Sequence, residues 1–161
     1  MRIVSVLFLL ALLMSGCDKS RVFEKNKDLK DQSWLVVNKP VFEFQVDNTP
    51  QPYNLYCNIR NEVSYPKANI YFSYNLTDSS GNVLESKLIS HMLFDKKTGK
   101  PFGTTGLGDI YDHQIPLLKN YSFKNPGKYK VTFEQFMRID TLPGILAVGL
   151  RVEKSKMESK D

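Results

Sequence analysis

The chain has only two cysteines, two histidines and one tryptophan in 161 residues. Two His and two Cys cannot furnish a zinc ribbon, and they make a metal site of any kind a poor reading. Long apolar runs are missing too. The longest, Ile3 to Met14, is twelve residues interrupted by Ser5, whereas a membrane-spanning helix needs about 20. No window shows the period of an amphipathic helix, and no internal repeat is visible, which excludes coiled-coil and solenoid architectures. A charge excess is nearly absent. The net +5 becomes +4 once Arg2 is removed, too small and too dispersed to indicate nucleic acid. What remains is 42% hydrophobic and 24% charged, the balance of one folded domain. Eight Tyr and ten Phe tilt that domain toward strands.

The first sixteen residues read as a lipoprotein signal peptide. Arg2 is a short basic start, the apolar run is the membrane-engaging segment, and small Ser15 and Gly16 precede Cys17. The run Leu13-Met14-Ser15-Gly16-Cys17 resembles the bacterial lipobox, with Met14 where Leu is commonest. A peptidase needs small side chains beside its scissile bond, and the thiol accepts the diacylglycerol. Each buried methylene adds roughly 0.8 kcal/mol of membrane affinity, and two or three chains make a stable anchor. Cys17 is thus the expected lipidation site and the lipid membrane its partner. With Cys17 acylated, Cys57 has no disulfide partner and reads as a buried, inert thiol.

Residues 17–32 mix Lys, Arg, Asp and Glu with few apolar side chains and read as the lipidated N-terminus and a charged tether. Val22 and Phe23 are the pair able to dock on the domain. Residues 153–161 read as a charged tail, leaving 33–152 as the domain. There the dominant period is two: Phe42, Phe44 and Val46; Tyr53, Leu55, Cys57 and Ile59; Ile70, Phe72, Tyr74 and Leu76; Tyr129, Val131 and Phe133; Leu146, Val148, Leu150 and Val152. Such alternation marks strands with one buried and one wet face. Turn signals at Asp78–Asn82, Pro126-Gly127 and Pro143-Gly144 separate about eight strands: 33–37, 41–47, 53–61, 69–77, 83–94, 109–117, 128–136 and 145–152. Met137 to Leu142 reads as one short turn. The expected class is all-β, an antiparallel β-sandwich of jelly-roll type, with an SH3-like or lipocalin-like barrel as the alternative.

No catalytic pattern emerges. The glycines of Gly103 to Gly108 lack phosphate-loop spacing and no helix follows, so they read as a loop needing positive φ angles. Asp109, Asp112 and His113, with His91, suggest a metal or acid–base site. On a strand, however, Asp109 and Asp112 point to opposite faces, and nothing like the close histidine pair of H-E-x-x-H appears. No serine sits in a nucleophile elbow. Cofactors are not expected. Tyr56, Tyr71, Tyr111 and Tyr121 with Arg60, Arg138 and Arg151 suggest an aromatic and basic sheet face, and Tyr and Arg are usual anchors of protein interfaces.

Nearly the whole mature chain resembles the GldH family of gliding-motility lipoproteins. The likeness is carried by Cys17-Asp18, Arg21-Val22-Phe23-Glu24-Lys25-Asn26, Ser33-Trp34, Tyr53-Asn54-Leu55-Tyr56, Ile59-Arg60-Asn61, Tyr65-Pro66 and Asn69-Ile70-Tyr71. It continues through Gly106-Leu107-Gly108-Asp109-Ile110-Tyr111, Pro126-Gly127-Lys128-Tyr129, Met137-Arg138, Leu142-Pro143-Gly144-Ile145 and Val148-Gly149-Leu150-Arg151-Val152-Glu153-Lys154. The resemblance implies a non-enzymatic assembly component required for gliding. It would be linked to type IX secretion and anchored in the cell envelope, at the outer membrane. Its partners would be other gliding or secretion lipoproteins and envelope proteins. Within the quoted pieces Arg60, Tyr71, Asp109, Tyr111 and Arg138 are the candidate partner-binding residues. Two alternatives stay open: a carbohydrate-binding module using exposed tyrosines, and an envelope hydrolase.

Overall fold

The computed structural model describes residues 18–106 and 108–156. The expected signal peptide, Cys17, Leu107 and the last five residues lie outside them. The chain forms β1 (Arg21–Asp28), a 3-10 turn at Lys30–Gln32, β2 (Ser33–Leu35), β3 (Val41–Val46), β4 (Tyr53–Glu62) and β5 (Asn69–Thr77). Then come β6 (Val83–Met92), β7 (Thr104–Thr105), β8 (Ile110–Tyr121), β9 (Gly127–Gln135), β10 (Thr141–Pro143) and β11 (Ile145–Lys154).

One sheet has the order β1-β11-β4-β8-β7, the other β3-β9-β5-β6, and β10 pairs β2 in a short ribbon. Every pairing is antiparallel. The eight long strands in chain order pair first with eighth (β1, β11), second with seventh (β3, β9), third with sixth (β4, β8) and fourth with fifth (β5, β6). That nested pairing is the jelly roll, a long folded ribbon wrapped into two facing sheets. The expected fold class therefore holds.

The period-two residues named above fill the space between the sheets. Phe42, Phe44, Leu55, Cys57, Ile59, Ile70, Phe72, Leu76, Val131, Phe133, Val148, Leu150 and Val152 are all buried. Each large apolar side chain contributes about 1.5–3 kcal/mol by leaving water. Phe44, Tyr53, Phe123 and Tyr129 pack together with ring centroids 4.4–6.1 Å apart, Phe44 stacked on Tyr129 and the other pairs edge-on or tilted. Trp34 is fully buried, and its indole N–H donates to the Asn38 carbonyl at 2.9 Å.

Three expectations need correction. Residues 21–28, expected as part of a tether, form edge strand β1 along β11. Its core-side positions are Phe23, Lys25 and Lys27, opposite Val152, Leu150 and Val148. Phe23 packs on the core near Phe44, and the Lys27 ammonium lies 5.3 Å from the centre of the Phe42 ring. Lysine stems can cover apolar surface while their heads reach water, so this strand carries no apolar alternation. Secondly, strand β2 stops at Leu35, and a further strand, β10, occupies 141–143 where a lone turn was expected. Thirdly, a bulge between Ile145 and Ala147 sends Ile145, not Leu146, into the core, and β11 continues to Lys154.

Candidate functional site

The outer face of the five-stranded sheet is polar, and its charges are paired with one another. Arg151 on β11 donates to Glu24 on β1 at 2.9 Å, to Glu153 at 3.0 Å and to Asp18. Burial opposes the charge on Arg151, yet its bonds to Asp18 and Glu153 and the charge of Glu24 push its pKa up. Ser20 and then Arg151 pull the Asp18 carboxyl down to about 2. Burial works against ionisation of Glu24 as well, but Arg21, Arg151 and Asn58 outweigh it and hold that carboxyl below its ordinary value. Tyr56 donates its hydroxyl to Glu153 at 3.0 Å. Beside this cluster Arg60 grips Asp112 through two bonds, 2.8 and 3.2 Å. These two residues, with Glu24, Asn26, Asn58 and Gln114, line a shallow groove of about 430 Å³.

Asn26, Gly149 and Asn58 stand side by side on β1, β11 and β4. Asn58 reaches across the glycine to the Asn26 side-chain oxygen at 3.4 Å. A Cβ on Gly149 would sit 1.8 Å from that oxygen and 2.8 Å from the Lys25 carbonyl. Only glycine leaves room for the bridge.

The outer face of the four-stranded sheet is different in kind. Tyr71, Leu88, Phe136, Met137 and Arg138 line an open groove of about 520 Å³. Its far wall, residues 136–140, is fixed by a buried side chain. Gln135 accepts from the Met137 N–H at 2.9 Å and donates to the Ile139 carbonyl at 2.7 Å. The Phe136 N–H donates to the Tyr71 carbonyl at 2.8 Å. This loop holds Arg138 in the left-handed region, φ 58°, with its side chain in water and no ion-pair partner among the described residues.

The five expected partner-binding residues therefore divide. Tyr71 and Arg138 meet in the groove on one sheet. Arg60 lies on the opposite outer face, tied to Asp112. Tyr111, opposite core-facing Asn61, turns its ring edge to Phe94. Asp109 precedes β8, exposed, and its carbonyl accepts the Val63 N–H at 2.8 Å. Nor do the tyrosines make a common aromatic face. Tyr56 and Tyr71 lie on different sheets, while Tyr121 packs against Phe123 at 4.9 Å. Alternation shows which side of a strand a residue takes, but not which sheet the strand joins.

One juxtaposition that the sequence raised only to set aside is formed. His91 on β6 and His113 on β8 approach edge to face across the rim between the sheets, ring centroids 5.9 Å apart. Burial, and then the His91 charge, push His113 down to about 4 against the pull of Asp112. Burial also lowers His91. The His113 Nε2 is buried without a hydrogen-bond partner, and Gly103 gives it space, since a Cβ there would stand 2.7 Å away. That glycine is explained by room, not by φ, whereas Gly108 does take a positive φ of 68°. Burial likewise pushes the Cys57 thiol well up, as expected of an inert core residue.

Fold and faces together define a small antiparallel jelly-roll module with open surface grooves, one polar and one apolar. The family model described as GldH lipoprotein matches residues 21–152, from the first residue of β1 almost to the end of β11. The chain belongs to the GldH lipoprotein family. It is 32% identical over 151 residues to the gliding motility lipoprotein GldH homolog of Christiangramia forsetii, covering 89% of this chain and 90% of that one. It is 30% identical over 159 residues to the gliding motility lipoprotein GldH of Flavobacterium johnsoniae, covering 92% and 94%. Among solved structures, the infectious bursal disease virus VP2 subviral particle aligns over 86% of this chain and 33% of its own. The TM-score is 0.45 and the identity 12%, a likeness too distant to bear on function.

Proposed function

We propose that this chain is a gliding-motility lipoprotein, held in the cell envelope by acyl chains on Cys17, and that it works by binding protein partners and not by catalysis. The observation that carries this reading is the family match across the entire jelly roll, joined to the lipobox that ends at Cys17. The geometry supports a non-catalytic role. Asp18 and Glu24, both held below their ordinary carboxyl values, are committed as acceptors to Arg151, a state unsuited to a general acid. The scattered tyrosines offer no shared platform on which a sugar would stack. The proposed place is the outer membrane, beside other gliding and type IX secretion lipoproteins.

The test is a gene deletion complemented with the wild-type chain or with Cys17→Ser. Colony spreading on agar, membrane fractionation and secretion of type IX cargo are read together. Deletion is expected to abolish spreading and to lower secretion, and wild type to restore both. The Cys17→Ser chain is expected in the soluble fraction without restoring spreading. A deletion strain that spreads normally, or a Cys17→Ser chain that stays membrane-bound and functional, overturns the proposal.

A further inference from the structure

Strand β6 closes one side of the four-stranded sheet, so alternate backbone N–H and C=O groups along it face outward for another strand to take up. Ten residues is long for such an edge, it contains no proline, and Leu84 and Leu88 on it are 38% and 53% exposed. Register with β5 fixes its faces. Glu85 and Lys87 stand opposite core-facing Leu76 and Tyr74, whereas Ser86 and Leu88 stand opposite outward-facing Asn75 and Ser73. Leu84 follows on the outward side, next to the irregularity that ends regular pairing at Val83.

Charges on the core side of an edge strand ordinarily repel any visiting strand. Here they are arranged symmetrically about Ser86. Antiparallel pairing of two copies around a two-fold axis at Ser86 sets Leu84 against Leu88, Glu85 against Lys87 and Ser86 against its own copy. The leucine and ion pairs each form twice, and all are favourable cross-strand pairs. Moving the axis to Lys87 opposes two lysines, and moving it to Glu85 opposes two glutamates. An axis between residues sets core-facing side chains beside outward ones and turns the second sandwich over. Of the axes at Glu85, Ser86 and Lys87, only the one at Ser86 sets each charge against its opposite.

We infer that β6 is a self-association edge, through which two copies of this chain join their four-stranded sheets into one continuous eight-stranded sheet. The same charges that repel a foreign strand then select an identical one. Leu84 of the second copy comes to lie beside Leu88, a wall of the Tyr71 groove, so each groove lengthens toward the two-fold axis. The edge depends on neither the lipid anchor nor the motility role.

The test uses the full-length chain in membranes, carrying Ser86→Cys, oxidised mildly and resolved without reductant. Opposed antiparallel residues have Cα atoms about 4.5–5.5 Å apart, within disulfide reach. A cross-linked dimer is expected for Ser86→Cys, and background alone for Ser73→Cys, one strand further in, and for the chain without added cysteine. Adding Glu85→Lys or Lys87→Glu brings like charges together twice and should lower the cross-linked fraction roughly tenfold. Both reversals in one chain should restore it. Two differently tagged chains, one with each reversal, should cross-link to each other and not to themselves. Cross-linking that ignores the reversals, failure of the double reversal to restore it, or Ser86→Cys adducts formed only with other proteins would each overturn the inference.

Discussion

Replacing Gly149 by alanine tests whether the segment before the domain is a strand or a leash. The new methyl group would meet the Asn26 side-chain oxygen at 1.8 Å and the Lys25 carbonyl at 2.8 Å. Asn26 can swing aside, but only by breaking its contact with Asn58. The Lys25 carbonyl is backbone and moves only if β1 lifts from β11. Overpacking of this kind costs about 1–3 kcal/mol, and a lost hydrogen bond adds about 1. A total near 3 kcal/mol lowers the melting temperature by roughly 10 °C for a domain of this size. Thermal unfolding followed by circular dichroism gives the magnitude. Hydrogen exchange gives the location, since amides of Arg21–Asp28 should lose protection before those of β4 or β5. Adding Asn26→Ala should recover part of the loss. A Gly149→Ala chain within about 0.5 kcal/mol of wild type, with β1 still protected, would refute the placement of β1.

Three further predictions concern charge. Arg151→Ala should cost about 2–3 kcal/mol by leaving partly buried carboxylates without their donor, and Arg151→Lys should recover only part, because one ammonium cannot reproduce the guanidinium fork. Glu24 is held below its ordinary value of 4.5, so the stability it contributes is present above that pH and lost below it. Urea midpoints between pH 6 and 3 should show a steeper acid limb in wild type than in Arg151→Ala. His113 has the opposite chemistry but the same sign. Its folded pKa of about 4 lies under the ordinary 6.5, so the unfolded chain binds more protons between those values. Stability is complete above pH 6.5 and falls toward pH 4, by up to about 3 kcal/mol at 1.36 kcal/mol per unit. His113→Leu, measured the same way, should flatten that slope.

Much of the sandwich was legible because burial imposes a period of two that no other element shares. The strands at 41–46, 53–62, 69–77, 83–92 and 127–135 fall close to where they were expected, whereas β8 and β11 run on to Tyr121 and Lys154, beyond the expected ends at 117 and 152. Strand β1 escaped because lysine stems serve where apolar side chains were sought. Strand β10 escaped because three residues carry no period. The site was legible only in pieces. Arg60, Tyr71 and Arg138 are indeed outward, yet Tyr71 and Arg138 share a groove while Arg60 lies on the other side of the molecule. The His91–His113 contact joins strands from different sheets, and no local pattern encodes such a meeting.

The sequence by itself determined the class of fold and most of the core, because each depends on side-chain character repeated over a few neighbouring positions. Tertiary structure alone decided that β1 belongs to the sheet, that Gly149 must lack a side chain, and that β6 stands free with its charges balanced about Ser86. Those outcomes follow from which strands become neighbours, and long-range pairing is set by the closure of the whole jelly roll.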